Sequence, residues 1–492
     1  MSGPNPIPAG PKIEADWRSN KPASIPRLPP SWTATVLLTP FGDSISPLTN
    51  PTQLIVGFVE SSSTAKEGWL RARLFLTLNK RYVDFFFVQS ADAERCDWYW
   101  IDTNPAGDVK SIFGPFPTTL QIPPSQCFEM AGARWGNVYP LMCAGDAERG
   151  IACDHWVVPT PGFKNHGTWF AFRKETADLF RVFALDSNNP LMFPILGSFY
   201  MTNLPTFTHS VSDGSKSLAE RIAKGETKAR AGYWNPLVTQ EDIHRAMAFP
   251  LADAAHTPDD IAAVIPGFAA MQSTENLPRW SDRTYIEGWT TGTDFIPYVT
   301  RVCYLWTGSK DSKQQTVFIG FGTVPGQGNY LQRRDTCLDT SGTVQPYYQW
   351  DAAANDWVLS TCLTPNPPVG LPKPDWLARD EAVIVGQIRG NPNFGLAEDQ
   401  TLNLIAGRLD RGGGELAIFW VWFLENGHGM LFSEGNYLNP LSHNLQLIDY
   451  NHFVQNAAIT QNTFSNPCAP ASKRHTALAA ADMVRGHLTI PA

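Results

Sequence analysis

An aspartate that shares a strand face with two tryptophans is the first candidate for chemistry. Along the segment 98–102 the side chains of Trp98, Trp100 and Asp102 alternate, so the period of two places all three on one face of a strand. A carboxylate beside indole rings loses hydration, which disfavours its charged form and suits a general acid or base. The structural alternative is that Asp102 begins and caps the turn 102–105.

A similar cluster of aromatic and acidic residues occurs in the second half of the chain. Tyr347, Tyr348, Trp350 and Asp351 follow the first cluster at a shift of 249 positions, approximately in register. We therefore predict that Asp102 and Asp351 are catalytic carboxylates. The predicted walls of the binding site are the aromatic residues Trp98, Trp100, Tyr347 and Trp350.

Tyr285 and Glu287 form a second predicted catalytic pair, because they alternate on the first strand of the second half. At the shift of 249 their equivalents are the apolar Val36 and Leu38, so the pair indicates that the second half is the active one. A solvated strand face explains the same pattern without any function.

The remaining reactive residue types lack the spacing of known sites. His155 lies between Asp154 and Trp156 and is predicted to be structural. The chain contains no paired Cys/His spacing, no G-x-S-x-G motif and no phosphate-binding or dinucleotide-binding loop in a suitable context. We therefore predict neither a metal nor a cofactor. Eight cysteines divide four per half, and we expect them to be reduced, with Cys143–Cys153 the best candidate for a disulfide.

Composition narrows the classes of partner. The chain has 492 residues and a net charge of −8, without a basic patch, which excludes nucleic acid as a partner. No apolar stretch approaches the roughly 20 residues of a membrane span, and the N-terminus is unlike a secretory signal. These features favour a cytoplasmic protein; they leave the oligomeric state open.

The two halves of the chain repeat the same landmarks. The segment 28–32 (LPPSW) resembles 277–280 (LPRW), and 189–191 (NPL) recurs at 439–441. The run 169–172 (WFAF) matches 419–422 (FWVW) at a shift of 250. This repetition predicts a tandem duplication.

Short β-branched and aromatic runs separated by turn residues predict antiparallel strands in both halves. Helix signals occur between the halves, at 217–224, 239–243 and 257–261. We predict a mainly β protein with two related curved-sheet or barrel modules joined by a helical connector. The predicted division is a flexible Pro-rich arm at 1–27, modules at 28–210 and 275–468, a connector at 211–274 and a tail with a short helix at 469–492.

The opening 28–32 strand, the aromatic strand ending in Asp102 and the late segment 169–191 resemble the pattern of LolA-like proteins, in particular those of the violacein-biosynthesis (VioE) type. The resemblance implies a curved antiparallel sheet with a cofactor-free cavity that steers a reactive aromatic intermediate. It covers 28–209 and a second copy at 277–455, and it implies no catalytic residue, because Val36 and Leu38 stand where that family has polar and aromatic residues.

Taken together, these patterns predict a cofactor-free enzyme that acts on a hydrophobic aromatic or polyene intermediate by cyclisation or rearrangement. Two-module calycin-like cyclases of natural-product pathways provide an architectural analogy. One alternative is a non-catalytic carrier for a lipid or pigment. The other is a structural or interaction protein with exposed tryptophan sites.

Overall fold

The protein is mainly β, as the sequence predicts. The computed structural model describes residues 26–40, 54–64, 67–77, 81–89, 96–104, 108–118, 134–141, 151–159, 167–184, 199–228, 265–291, 297–324, 328–351, 353–354, 356–364, 371–379, 381–394, 396–410, 416–425, 432–437, 445–464, 467–468 and 474–476. Within these residues the strands form three sheets, and nearly every strand pair is antiparallel.

The first half builds a sheet of eleven strands in the order β6-β5-β4-β3-β2-β1-β11-β10-β9-β8-β7. Its strands are β1 (Ser31–Pro40), β2 (Ile55–Ser63), β3 (Gly68–Leu76), β4 (Arg81–Gln89), β5 (Cys96–Thr103), β6 (Val109–Thr118), β7 (Arg134–Leu141), β8 (Ile151–Pro159), β9 (Gly167–Arg173), β10 (Leu179–Ala184) and β11 (Phe199–Thr208). Sequential strands are neighbours except β6 and β7, which lie at opposite edges of the sheet, because β11 returns to pair with β1 and joins the start of the module to its end.

The second half builds a nine-stranded sheet, β22-β23-β13-β14-β15-β16-β17-β18-β24, and a four-stranded sheet, β12-β19-β20-β21. The strands of this half are β12 (Phe268–Ser273), β13 (Arg283–Thr291), β14 (Pro297–Leu305), β15 (Lys313–Val324), β16 (Gly328–Asp339), β17 (Gly342–Asp351), β18 (Asp356–Thr364), β19 (Val383–Arg389), β20 (Thr401–Asp410), β21 (Leu416–Leu424), β22 (Phe432–Tyr437), β23 (Leu445–Gln455) and β24 (Arg474–Thr476).

The strand order of the two halves corresponds. In the first half β6 to β1 is followed by β11 and β10, and in the second half β18 to β13 is followed by β23 and β22. This correspondence supports the predicted duplication, while the exact module boundaries stay a prediction.

The equivalence of Tyr285 with Val36, taken from the constant shift of 249, stays a prediction. Val36 shares a face of β1 with the opening Trp32, whereas the matching Trp280 precedes β13 and packs in one core cluster with Ile286.

Strand pairing places the polar pair of each module. Tyr285 and Glu287 lie opposite Cys303 and Arg301, and in the first module the polar Thr33 and Thr35 lie opposite Glu60 and Phe58.

The connector range contains both a helix and a strand among its described residues. Helix α1 (Asp213–Ala223) includes most of the predicted segment 217–224, while β12 lies at the end of the range and pairs with β19. The predicted helices at 239–243 and 257–261 lie outside the described residues. In the tail, residues 474–476 form β24, which pairs in parallel with β18, and the rest of the segment predicted to hold a short helix lies outside the described residues. A one-turn helix, α2 (Trp376–Arg379), precedes β19.

Helix α1 is fixed to the first sheet at its N-terminus and along one side. The Ser212 side chain caps the helix by accepting a hydrogen bond from the Ser215 backbone N–H at 3.2 Å. Leu218 and Ile222, one turn apart, are buried against Phe86 and Ile101 of the sheet.

The described parts of the two halves are in contact at several places. The Arg173 guanidinium donates a hydrogen bond to the Asn393 carbonyl at 2.8 Å. The Leu54 side chain lies where a side chain on Gly386 would project, so glycine allows this close approach.

The cysteines differ from expectation. Cys362 and Cys468 form a disulfide across 106 residues, so these two are not reduced. Cys153 is buried, and the predicted Cys143–Cys153 disulfide involves Cys143, which lies outside the described residues. Among the described residues, no helix is long and apolar enough to cross a membrane.

Candidate functional site

Strand β5 carries Trp98, Trp100 and Asp102 on one face of the eleven-stranded sheet, as predicted. Both tryptophans are buried, at 3% and 2% exposure, and both contact Phe85, with ring centroids 5.7 and 5.6 Å apart. Trp98 also packs on Phe116 at 4.6 Å. The result is an aromatic face, composed of buried rings from three neighbouring strands.

Asp102 ends this aromatic face, beside the turn from β5 to β6. It is half-buried and lies opposite Ser111 in the ladder. The turn is capped by Asn104, whose Oδ1 accepts from the Asp108 N–H at 2.8 Å and whose amide donates to the Asp108 carboxylate at 2.9 Å. Asp102 is therefore not the turn cap, and no hydrogen bond or ion pair joins its carboxylate to another described residue.

Tyr285 and Glu287 are in direct contact on β13. The Tyr285 hydroxyl donates to Glu287 Oε2 at 2.6 Å. Arg301 on β14 lies opposite Glu287 and approaches the same oxygen with its Nε at 3.4 Å. The carboxylate is thus held between a phenol and a guanidinium, an arrangement that we call the Tyr–Glu–Arg cluster.

Burial controls the chemistry of this cluster. Tyr285 packs with Cys303 and Ile459 in a small apolar group. Burial, reinforced by the hydrogen bond to Glu287, raises the pKa of the Tyr285 hydroxyl, so the phenol stays protonated at neutral pH. Burial also raises the pKa of the Cys303 thiol to about 11, which makes it a poor nucleophile.

Asp351 and Trp350 lie at the β17–β18 turn. Asp351 is exposed, and its Oδ1 accepts hydrogen bonds from the Ala353 and Ala354 N–H groups at 2.8 and 3.1 Å. The carboxylate therefore caps the turn. Trp350 packs edge-on against Trp357 at 5.2 Å across the same hairpin.

Tyr347 occupies the other face of β17 from Trp350. It lies opposite Arg334 of β16, which lies opposite Phe318 of β15. The Arg334 guanidinium stacks over the Phe318 ring at 4.5 Å. Burial raises the pKa of the Tyr347 hydroxyl, although the charge of Arg334 and a hydrogen bond to it act in the opposite direction.

The predicted residues thus fall into separate places. Trp98, Trp100 and Asp102 lie together in the first sheet, and Tyr285 contacts Glu287 in the nine-stranded sheet. Asp351 belongs to a turn of that sheet and takes part in neither group.

The sequence analysis did not identify the arginines that accompany the predicted residues. Arg333 and Asp335 are two positions apart and therefore share a strand face, and this spacing could have indicated their ion pair. Arg301 and Arg334 act across strand pairs, so no local spacing indicates them.

A buried ionic network that the sequence analysis also missed lies under helix α1. Arg71 makes two hydrogen bonds to Asp84, at 3.0 and 2.8 Å, and a third to the Ser215 hydroxyl at 3.1 Å. Glu60 accepts from the Ser212 backbone N–H at 2.8 Å and from the Ser215 hydroxyl. The partners inside the network satisfy each other, so we interpret it as the structural anchor of the helix.

His155 is buried, and its pKa lies well below the ordinary value because burial, and secondarily the charge of Arg181, disfavours the cation. A neutral, enclosed histidine agrees with the structural role predicted for it. Within the described ranges, no group of three or more His, Cys, Asp or Glu residues is arranged to hold a metal ion.

Comparisons with known proteins add no identification beyond the mainly β class. No protein-family model matches the chain, and no curated relative matches it. Among solved structures, the chain aligns with kievitone hydratase from Nectria haematococca at 8% identity, over 92% of this chain and 95% of that one, with a TM-score of 0.13. A likeness at this score carries no argument about fold or function.

Proposed function

We propose that the protein is a cofactor-independent enzyme that binds a hydrophobic aromatic or polyene molecule and promotes its cyclisation or rearrangement by proton transfer. The observation that carries this proposal is the position of Asp102, a half-buried carboxylate without a described partner at the end of an aromatic face. A structural aspartate in such a place is normally paired or capping.

The chemistry follows from this arrangement. The buried rings of Trp98, Trp100 and Phe85 form an apolar surrounding at the strand that carries Asp102, and they exclude water from that side of the carboxylate. The Asp102 carboxylate would then take a proton from the ligand, or return one, where water cannot compete. The resemblance to LolA-like proteins supports the same class of substrate.

The Tyr–Glu–Arg cluster provides a second predicted acid–base group. Burial raises the pKa of Tyr285 and keeps the phenol protonated, so Tyr285 would act as a hydrogen-bond donor, and Glu287, paired with Arg301, would act as the proton acceptor. The Tyr–Glu–Arg cluster and Ile286 are on opposite faces of β13, and Ile286 belongs to a core cluster. The Tyr–Glu–Arg cluster would therefore act on a ligand bound at the face that points away from this core.

A non-catalytic carrier for a lipid or pigment is the second candidate. The burial of Trp98, Trp100 and Phe85 favours it, since an aromatic face binds an apolar molecule with or without chemistry. The role of Asp102 distinguishes the two candidates.

The third candidate, an interaction protein, depends on the half-buried Trp357 and on Val358 and Leu359, which are 50% and 38% exposed.

The deciding experiment compares the molecules bound to wild-type protein and to Asp102→Asn, both purified from the native source and analysed by native mass spectrometry with extraction. For an enzyme, the variant retains unconverted substrate, while wild-type protein holds product or is empty. In a single-turnover assay with that substrate, we expect conversion to slow by about 10²-fold or more.

Asp97→Asn is the matched control, because Asp97 lies on the same strand but on its other face. We expect this variant to convert substrate at the wild-type rate. If both variants and wild-type protein release the same unchanged molecule, the enzyme proposal fails and the carrier replaces it. If none binds a small molecule, both ligand-based candidates fail.

A further inference from the structure

Two neighbouring arginines on β16 point to opposite faces of the nine-stranded sheet, and only one is neutralised. Arg333 makes two hydrogen bonds to Asp335, each of 2.7 Å. Arg334, on the other face, has no carboxylate partner among the described residues. Arg334 is only partly buried, so the feature that requires an explanation is its buried Nε–H group, which has no acceptor among the described residues.

Arg334 lies on the core-facing side of the sheet. Thr300 and Val302 alternate on β14, and Val302 belongs to the core cluster. Thr300 lies directly opposite Phe318, and Phe318 lies directly opposite Arg334. Because directly opposite residues point to the same face of a sheet, Arg334 is on the same face as Thr300 and Val302.

The immediate surroundings of Arg334 hold the guanidinium without neutralising it. Phe318 lies under its plane at 4.5 Å, and the Tyr347 hydroxyl, half-buried opposite, is an uncharged partner. Arg334 Nε is buried and has no hydrogen-bond partner within the described part of the chain. A donor of the planar guanidinium fork is therefore available.

A buried acceptor occurs further along the same face. Gln314 donates from its amide to Thr316 at 3.2 Å, but its Oε1 is buried without a hydrogen-bond partner in the described residues. Gln314 and Phe318 are four positions apart on β15, about 13 Å. The core-facing side thus offers a cationic donor and a neutral acceptor, separated by the length of a small ligand.

We propose that Arg334 and Tyr347 bind an anionic oxygen, as in a carboxylate, enolate or phenolate, on an otherwise apolar small molecule. The ligand anion would neutralise the guanidinium and accept from Nε. It would also replace Gln345 Oε1, 3.4 Å away, as the acceptor of the Tyr347 hydroxyl, while the Phe318 ring supports the guanidinium plane. Gln314 would accept from a hydroxyl at the distal end of the same molecule. This site lies in the second module and does not depend on the role of Asp102 in the first.

Two fluorescent probes of similar shape test the site. The probe 8-anilinonaphthalene-1-sulfonate is apolar and anionic, whereas N-phenyl-1-naphthylamine has nearly the same rings without the charge. Titration of each into purified full-length protein gives its dissociation constant. In Arg334→Gln we expect anionic-probe binding to weaken by about tenfold or more, while neutral-probe binding changes less than about twofold.

Matched variants separate this effect from general charge and from misfolding. Arg279→Gln removes an exposed arginine of the same module and should leave both dissociation constants unchanged. Tyr347→Phe should weaken the anionic probe by a smaller factor. If Arg334→Gln does not melt cooperatively, Arg334→Lys keeps the charge but removes the planar fork, and an intermediate loss is expected.

Equal binding of the anionic probe by wild-type protein and by the folded Arg334 variants would overturn the proposal. An equal loss of both probes in Arg334→Gln would also overturn it, since the arginine would then support the fold and not the anion. A wild-type protein that binds neither probe has no such site. None of these results bears on the Asp102→Asn conversion assay, so the two proposals fail separately.

Discussion

At the scale of single residues, Asp335 shows how neutralising the charge of Arg333 contributes to stability. It is fully buried and accepts two hydrogen bonds from Arg333 and one from Gln315 at 2.9 Å. Removal of the carboxylate in Asp335→Ala leaves the largely buried Arg333 cation without its counter-charge. We expect a loss of about 3 kcal/mol in the free energy of unfolding, measured by urea denaturation.

Two further variants define the contribution of charge in this experiment. Asp335→Asn keeps the shape and one acceptor oxygen, so a smaller loss is expected than for alanine. Asp311→Asn changes an exposed carboxyl and should alter stability by less than about 0.5 kcal/mol. A loss in Asp335→Ala no larger than that of Asp311→Asn would show that the Arg333–Asp335 pair is not important for stability.

At the scale of elements, helix α1 depends on its apolar side for attachment to the first sheet. Leu218 is 1% exposed and packs among Phe86, Tyr99 and Ile112. Leu218→Ala creates a cavity in this cluster, and we expect it to lower the free energy of unfolding by about 2–4 kcal/mol in urea denaturation.

Glu220→Ala is the control for this prediction, because Glu220 is an exposed residue of the same helix and alanine favours the helical state. Its effect should be below about 0.5 kcal/mol. If Leu218→Ala lowers the free energy of unfolding no more than Glu220→Ala does, the packing of helix α1 does not stabilise the first module.

Local pattern predicted the elements that depend on neighbouring residues. The run 33–38 predicted β1, and the alternation in 98–102 predicted which face carries Asp102. Strand β12 was missed because its partner, β19, lies more than a hundred residues away, and β24 was missed for the same reason. Such long-range pairing leaves no periodic signal in the short strand itself.

The candidate site was predictable to the same extent. The contact between Tyr285 and Glu287 follows from alternation on one strand, whereas their anchor Arg301 depends on cross-strand register. The predicted equivalence of Tyr285 with Val36 depends on the exact shift between the two halves. A change of one residue reverses the face, so repeat arithmetic alone cannot place a side chain.

At the scale of the whole molecule, the Cys362–Cys468 disulfide links β18 to the segment that leads to β24. It closes a loop of 106 residues that contains three strands of the four-stranded sheet, β19, β20 and β21, and the return strand β23. In the chain-entropy account, a cross-link over this distance stabilises the fold by up to about 4.7 kcal/mol, chiefly by restricting the unfolded chain.

We therefore expect reduction with dithiothreitol to lower the free energy of unfolding of the wild-type protein by at least about 2 kcal/mol in urea denaturation. The Cys362→Ser, Cys468→Ser double variant should show this lower stability without reductant and should not respond to it, which separates loss of the bond from other effects of the reagent. Equal stability of the wild-type protein with and without reductant would contradict the prediction. Such a result would indicate that Cys362 and Cys468 are reduced, as expected of a cytoplasmic chain. A fold that loses stability on reduction would instead favour an oxidising compartment.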